Sequence, residues 1–194
     1  MKFGYDEFDL SGVRTYPLAS RRSKANAVDF GSAFTAGSGV KRLVESLPSI
    51  LAAADFKAVV AAIVTARDSN RGIVWGLGAH VLKTGLSPVI VDLMQRGFVS
   101  AIALNGAGAI HDFELALSGS TSEDVDEALG PGRFGMAEET GRILNAAINE
   151  GVARGLGFGQ SVVAHLHDAQ PPHANISILC AAGRLEIPVT VHAA

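Results

Sequence analysis

Three short apolar runs, each followed by small or glycine residues and set between helix-like stretches, restrict this chain to few architectures. They are Ile73-Val74-Trp75-Gly76-Leu77-Gly78, Ser100-Ala101-Ile102-Ala103-Leu104 and Ile187-Pro188-Val189-Thr190-Val191. Near-continuous apolar character is the mark of strands covered on both faces, as in a parallel sheet. The connections between them carry a helical period. Ser87-Pro88 offers a cap and a proline at the first helical position, Val89, Ile90, Leu93 and Met94 follow, and Gly97 closes the helix. Strand, helix, strand, helix with short connections is the βαβ pattern, whose crossovers are right-handed. The expected fold is therefore α/β: a Rossmann-like parallel sheet with helices on both faces. The last run stops at Ala194 with no turn or polar tail behind it. The sheet is expected to be truncated at its carboxyl end, and part of any site at the strand ends to lie beyond this chain.

The chain of 194 residues suits one domain with a real core, and its 48% hydrophobic and 18% charged residues fit a globular protein. It is read as a single incomplete NAD-binding-type domain in three stretches. Residues 1–37 show no period and form an extended arm over the domain or a neighbouring subunit. Residues 38–70 are helical, and residues 71–194 alternate strand and helix. Within the helical stretch one helix is expected over Val40 to Ala53, kinked or divided by Pro48. A second is expected behind Asp55, with Phe56, Val59, Val60, Ile63 and Val64 on one face.

A net charge of −3 argues against nucleic acid or an anionic membrane as the main partner. The acidic amino terminus, Met1 to Asp9, has no apolar stretch for a signal peptide, and a lone cysteine, Cys180, fits a reducing compartment. A cytoplasmic location is expected.

Two strand ends carry the candidate chemistry. Gly76-Leu77-Gly78-Ala79-His80-Val81-Leu82-Lys83 and Asn105-Gly106-Ala107-Gly108-Ala109-Ile110-His111-Asp112 place small residues where a strand turns into a helix. There, backbone N–H groups can approach a phosphate at the positive helix end. Neither run matches the GxGxxG fingerprint, since Val81 stands where the third glycine would fall. Plain turns are the competing reading. His111 directly before Asp112 is a candidate proton-transfer pair. Alternatively Asp112 and Glu114 complement the helix dipole and His111 faces solvent. Thr121-Ser122-Glu123-Asp124 reads as a capping box ahead of a short acidic helix. Leu156 to His167 could form a helix. His165-Leu166-His167-Asp168 and His173 have histidines at a metal-like spacing, but the stretch leads into Pro171-Pro172 and the histidines are read as an exposed loop, so no metal is expected. Cys180 is read as core.

The run Gly78-Ala79-His80-Val81-Leu82-Lys83-Thr84-Gly85-Leu86-Ser87-Pro88, with Ala103-Leu104-Asn105-Gly106-Ala107-Gly108-Ala109-Ile110-His111-Asp112-Phe113-Glu114, resembles the deoxyhypusine synthase family, in particular its bacterial deoxyhypusine-synthase-like branch. Phe134-Gly135-Met136-Ala137-Glu138-Glu139-Thr140-Gly141 extends the likeness. The resemblance implies the amino-terminal portion of an NAD-dependent aminobutyltransferase acting on spermidine or a related polyamine. The acceptor would be a protein lysine or a small amine, and the assembly a homotetramer. It assigns NAD contacts to Ala79, His80, Lys83, Asn105, Gly106 and Ala107, beside Gly78 and Gly108 of the glycine-marked turns. Ile110-His111-Asp112 replace the family's Glu-Glu-Asp, so two carboxylates suited to polycation or cofactor-hydroxyl contacts become an apolar residue and a histidine while Asp112 is kept. His111 and Asp112 are the candidate catalytic residues. The family's catalytic lysine segment has no counterpart here, so the fragment alone is expected to be inactive. A non-catalytic nucleotide-binding or assembly subunit is the alternative.

Overall fold

The computed structural model describes Gly4 and residues 8–193; most of the acidic amino-terminal segment lies outside that range. The chain divides into two compact units, residues 1–60 and 61–194.

In the first unit, two short 3-10 turns, Leu18–Ser20 and Ala27–Asp29, precede α1 (Gly39–Ser46) and the first part of α2 (Leu51–Asp68). The division at Pro48 falls where expected, but α2 begins four residues ahead of Asp55, which lies inside the helix rather than capping it. Leu51-Ala52-Ala53-Ala54 are strong helix formers, and their summed propensity outweighs a capping side chain. The Lys57 ammonium donates to the carbonyls of Glu45 and Leu47 at 3.5 and 2.5 Å, so a side chain of α2 closes the end of α1. No described residue ahead of Ala79 is buried.

The second unit holds a three-stranded parallel sheet in the order β1 (Val74–Leu77), β2 (Ala101–Asn105), β3 (Val189–His192). All three strands were legible in the sequence to within two residues at each end. The sheet is flanked by helices, giving a Rossmann-like α/β fold. After β1 come α3 (Ala79–Lys83) and α4 (Ser87–Gln95); after β2 come α5 (Gly106–Ser118), α6 (Val125–Leu129), α7 (Glu138–Ala153), α8 (Phe158–Ala169) and α9 (Ile178–Leu185).

Register puts Trp75, Ile102 and Val189 in one row across the sheet, and Leu77, Leu104 and Val191 in the next row of the same face. These six side chains are buried or half-buried. The opposite face presents Val74, Gly76, Ala101, Ala103 and Thr190, all half-buried or exposed, with Val74 69% exposed. The helix cover expected on both faces is thus much heavier on one. Right-handed crossovers that always step the same way along a sheet deliver their helices to the same side. The core on that side is built from Leu82, Ile90, Met94, Phe113, Leu166 and Leu179 around the strand rows.

Two helix contacts are closer than ordinary side chains permit. A Cβ on Gly151 of α7 would overlap Ser161 of α8, and a Cβ on Gly159 of α8 would overlap the Val189 carbonyl of β3. Gly151 lets the backbone of α7 meet the Ser161 side chain, and Gly159 lets backbone meet backbone. Among the described residues no helix is long and apolar enough to cross a membrane.

Candidate functional site

The carboxyl ends of the parallel strands lie side by side and carry the two glycine-marked turns. Leu77 pairs with Leu104, so Gly78 and Asn105 open adjacent positions at the sheet's end, and Asn105 pairs with His192 of β3. Gly78 is the extended residue ahead of α3, and the space where its Cβ would stand is open. Asn105 caps α5: its side-chain oxygen accepts from the Gly108 N–H at 2.8 Å. Gly108 leaves room for that cap, since a Cβ there would stand a tight 3.1 Å from the Asn105 oxygen.

The eight expected cofactor positions therefore differ in what they offer. Gly78, His80, Lys83, Asn105 and Ala107 are exposed, and Gly106 is half-buried. Ala79 and Gly108 are turned into the protein, serving packing and the cap. His192 was not singled out from the sequence; its Nε2 lies 3.0 Å from the Thr190 hydroxyl at the exposed end of β3.

His111 and Asp112 do not form a pair. Neighbours on a helix point about 100° apart, and the two side chains enter different environments. Asp112 is fully buried. Its Oδ1 accepts from the Ile178 N–H at 2.9 Å, and its Oδ2 from the Leu179 N–H at 2.9 Å and the Ser177 hydroxyl at 2.6 Å. Ser177 in turn accepts from the Cys180 N–H at 3.0 Å. Asp112 thus caps α9 from across the core, and its role is architectural. Burial pushes its carboxyl above the ordinary carboxylate range, against the lowering effect of these three donors. Buried Cys180 beside it also has its thiol pushed up, mainly by the same desolvation.

His111 instead belongs to a hydroxyl-linked cluster. Its Nδ1 lies 2.6 Å from Thr121 Oγ1, which donates to Glu114 Oε2 at 2.5 Å. Thr140 of α7 donates to the other carboxylate oxygen at 3.0 Å. Helical spacing puts Glu114 on the same face of α5 as His111, at i+3. Thr121 is not a helix cap: Asp124 takes that role, accepting from Asp126 and Glu127 at 3.0 and 3.3 Å. Position 122, at φ 70°, turns the chain so that Thr121 faces back to α5. Glu123 Oε1 accepts from the Gly135 N–H at 3.0 Å. These elements enclose a cleft of about 380 Å³ beside the first turns of α5, walled by Lys83, His111, Glu114, Glu123, Val125 and Phe134. Sequence spacing could pair His111 with Glu114, but Thr121, Thr140 and Phe134 arrive from later elements with no local signal.

The histidines of the HLHD run lie on α8 rather than in a loop, with His165 half-buried and its ring 6.5 Å from that of Phe113. Among the described residues no group of three or more His, Cys, Asp or Glu is placed to hold a metal ion.

No family model matches the chain, and no curated protein matches it. Similar solved structures include ArgZ, an arginine dihydrolase from the ornithine-ammonia cycle in Cyanobacteria. That likeness has 19% identity and a TM-score of 0.44, and covers 75% of this chain and 19% of that one. A LOR/SDH protein from Methanococcus maripaludis S2 shows 21% identity and a TM-score of 0.49, covering 73% of this chain and 40% of that one. The chain thus spans less than half the length of either, and likenesses of this size carry no activity across to it. The deoxyhypusine synthase resemblance is corrected all the same: no family model supports it, and both of these structures bear other names. The aminobutyl transfer from a polyamine that followed from it falls with it. The physical reason lies in what carried the resemblance. Glycine-marked strand ends followed by capped helices are what any parallel α/β unit needs at those positions.

Proposed function

We propose that residues 61–194 act as a mononucleotide-binding half of a Rossmann-like sheet and take NAD at the carboxyl ends of the strands. One observation carries this reading: two adjacent parallel strands end together on an open glycine, Gly78, and on the amino-terminal turn of a thirteen-residue helix, α5. The first turn of a helix has N–H groups without intrahelical partners. Asn105 satisfies that of Gly108, which leaves Gly106 and Ala107 as the donors suited to a phosphate oxygen. Lys83, exposed at the end of α3, supplies a cation on the wall of the neighbouring cleft. A strand order of β1-β2-β3 without reversal corresponds to one half of a doubly wound sheet, so contact with one end of a dinucleotide is expected, and weak binding. Bound NAD would supply hydride-transfer capacity; this chain's residues would hold its phosphates.

The test is titration of NAD into isotope-labelled protein followed by amide resonances. Shifts should concentrate at Gly78, Gly106 and Ala107. Lys83→Ala should weaken binding about tenfold or more, as expected for one hydrogen bond to a charged group of about 1.5–3 kcal/mol. Gly78→Val, which fills the open space, should abolish binding in a protein that still folds. Saturating NAD without shifts at these amides would overturn the proposal.

A further inference from the structure

The cluster around His111 has more order than a surface histidine requires, and counting its hydrogens shows what the order achieves. A threonine hydroxyl has one hydrogen. Thr121 gives that hydrogen to Glu114 Oε2, so toward His111 its oxygen is an acceptor. Nδ1 must then carry the ring proton in neutral His111. Thr140 occupies the other Glu114 oxygen, which prevents the carboxylate from swinging away from Thr121. The imidazole is thereby held in one tautomer, with Nε2 as a bare lone pair. Among the described residues Nε2 makes no hydrogen bond, while the ring lines the 380 Å³ cleft.

We propose that this cleft is a binding site for a small molecule presenting an O–H or N–H donor, with His111 Nε2 as its acceptor. Thr121 and Glu114 are positioning residues that fix the tautomer. Phe134 and Val125 offer an apolar wall for the body of such a ligand, and Lys83 and Glu123 stand at its charged margin. A proton passed from the ligand to Nε2 would create an imidazolium whose Nδ1 lies 3.9 Å from Glu114 Oε2, so the new charge forms beside a carboxylate. The site stands whether or not a nucleotide binds at Gly78 and α5.

The arrangement is readable without knowing the natural ligand. Long-range proton–nitrogen spectra of the labelled protein in alkaline buffer report which ring nitrogen carries hydrogen. Native protein and Thr121→Ser should show the Nδ1–H tautomer at His111. Thr121→Val, which removes the acceptor, should shift the population toward Nε2–H. Propan-1-ol and propylammonium serve as hydroxyl and ammonium probes. At least one should shift the native Nε2 resonance saturably, and Thr121→Val should bind that probe at least fivefold more weakly. An Nε2–H tautomer in native protein, loss of the Nδ1–H form in Thr121→Ser, or no response to either probe overturns the proposal.

Discussion

Residues 1–60 and residues 61–194 are built from similar fractions of apolar residues but use them in opposite ways. In the second unit Phe113, Ile102, Leu104, Leu166, Ile178 and Leu179 are almost wholly removed from water. In the first, Phe8, Leu10, Tyr16, Val28, Phe30 and Phe56 all remain exposed, and no described residue is buried. Apolar content does not make a core, and a period alone does not either: α2 spaces Phe56, Val59, Val60, Ile63 and Val64 to one helical face and buries none of them. The second unit spaces its apolar residues to the repeat of a strand or a helix, so each element has a face to bury. The arm has no such period, and α1 and α2 bury nothing. Stability should therefore reside in residues 61–194.

The sharpest way to break this comparison is to empty the core of the second unit. Phe113 on α5 has no exposed surface and packs within the central cluster. Phe113→Ala should cost about 3–5 kcal/mol, the loss expected for a buried aromatic with its cavity. Urea denaturation followed by far-UV dichroism measures it. A loss under about 1 kcal/mol would mean that the core is not where stability lies.

Asp112 comes next, because it holds two parts of that core together. Asparagine offers one acceptor oxygen where the carboxylate offers two, and its amide hydrogens would face the Ser177 hydroxyl or the N–H of Leu179. Asp112→Asn should destabilise by about 2–4 kcal/mol at neutral pH. The pH dependence has a defined sign. Burial raises the folded pKa above the ordinary value of 3.8, so the folded state holds the proton more tightly than the unfolded state does. The stabilisation this protonation contributes is complete below the ordinary value and is lost as pH rises through the raised one. The advantage of native protein over Asp112→Asn should accordingly be largest in acid and shrink as pH rises. An advantage that grows with pH would show that the three hydrogen-bond donors outweigh desolvation.

Much of this architecture was legible because it is local. The three strands were found from their apolar runs, and Ser87-Pro88 marked the start of α4 to within a residue, but the cap position falls to Leu86 and the buried Ser87 hydroxyl makes no cap hydrogen bond. What was not legible depends on contacts far apart in sequence. Asp112 reads as a catalytic partner of His111 by adjacency, yet its ligands come from residues 65 to 67 positions later. Thr121 reads as a capping residue by motif, yet it serves His111 and Glu114, because the turn at Ser122 sends it back to α5. A polar residue's role follows from which donors surround it, and that is fixed by packing. Glycine shows the same limit. Nothing local to Gly151 or Gly159 sets them apart, and it is the packing of α7, α8 and β3 that makes them close-approach points.

Gly159→Ala sharpens the comparison at smaller amplitude. The added Cβ would meet the Val189 carbonyl, a backbone atom of the edge strand that cannot rotate away. Relief requires α8 and β3 to separate, with an expected cost of about 1–3 kcal/mol. Gly141→Ala is the control, because α7 has open space at that position. It should be neutral or stabilising by up to about 1 kcal/mol through helix propensity. Equal melting temperatures for the two variants would refute the close contact between α8 and β3.

Phe56→Ser carries the smallest expected effect and tests the other side of the contrast. Phe56 lies on α2 with 48% of its surface exposed, and neither α1 nor α2 has a buried residue. Where an aromatic ring is already half in water, its removal forfeits less transfer free energy than in the core, and serine and phenylalanine have similar helix propensities. The unfolding free energy should change by no more than about 0.5 kcal/mol, as for surface substitutions generally. The informative readout is paired: urea denaturation for stability, and sedimentation over a range of concentrations for association. If Phe56→Ser leaves the unfolding midpoint unchanged but reduces association, the apolar face of α2 meets another chain. If it lowers the unfolding free energy by several kcal/mol at a concentration where the protein is monomeric, the first unit shares in the stabilising core, and the division of labour between the units is wrong.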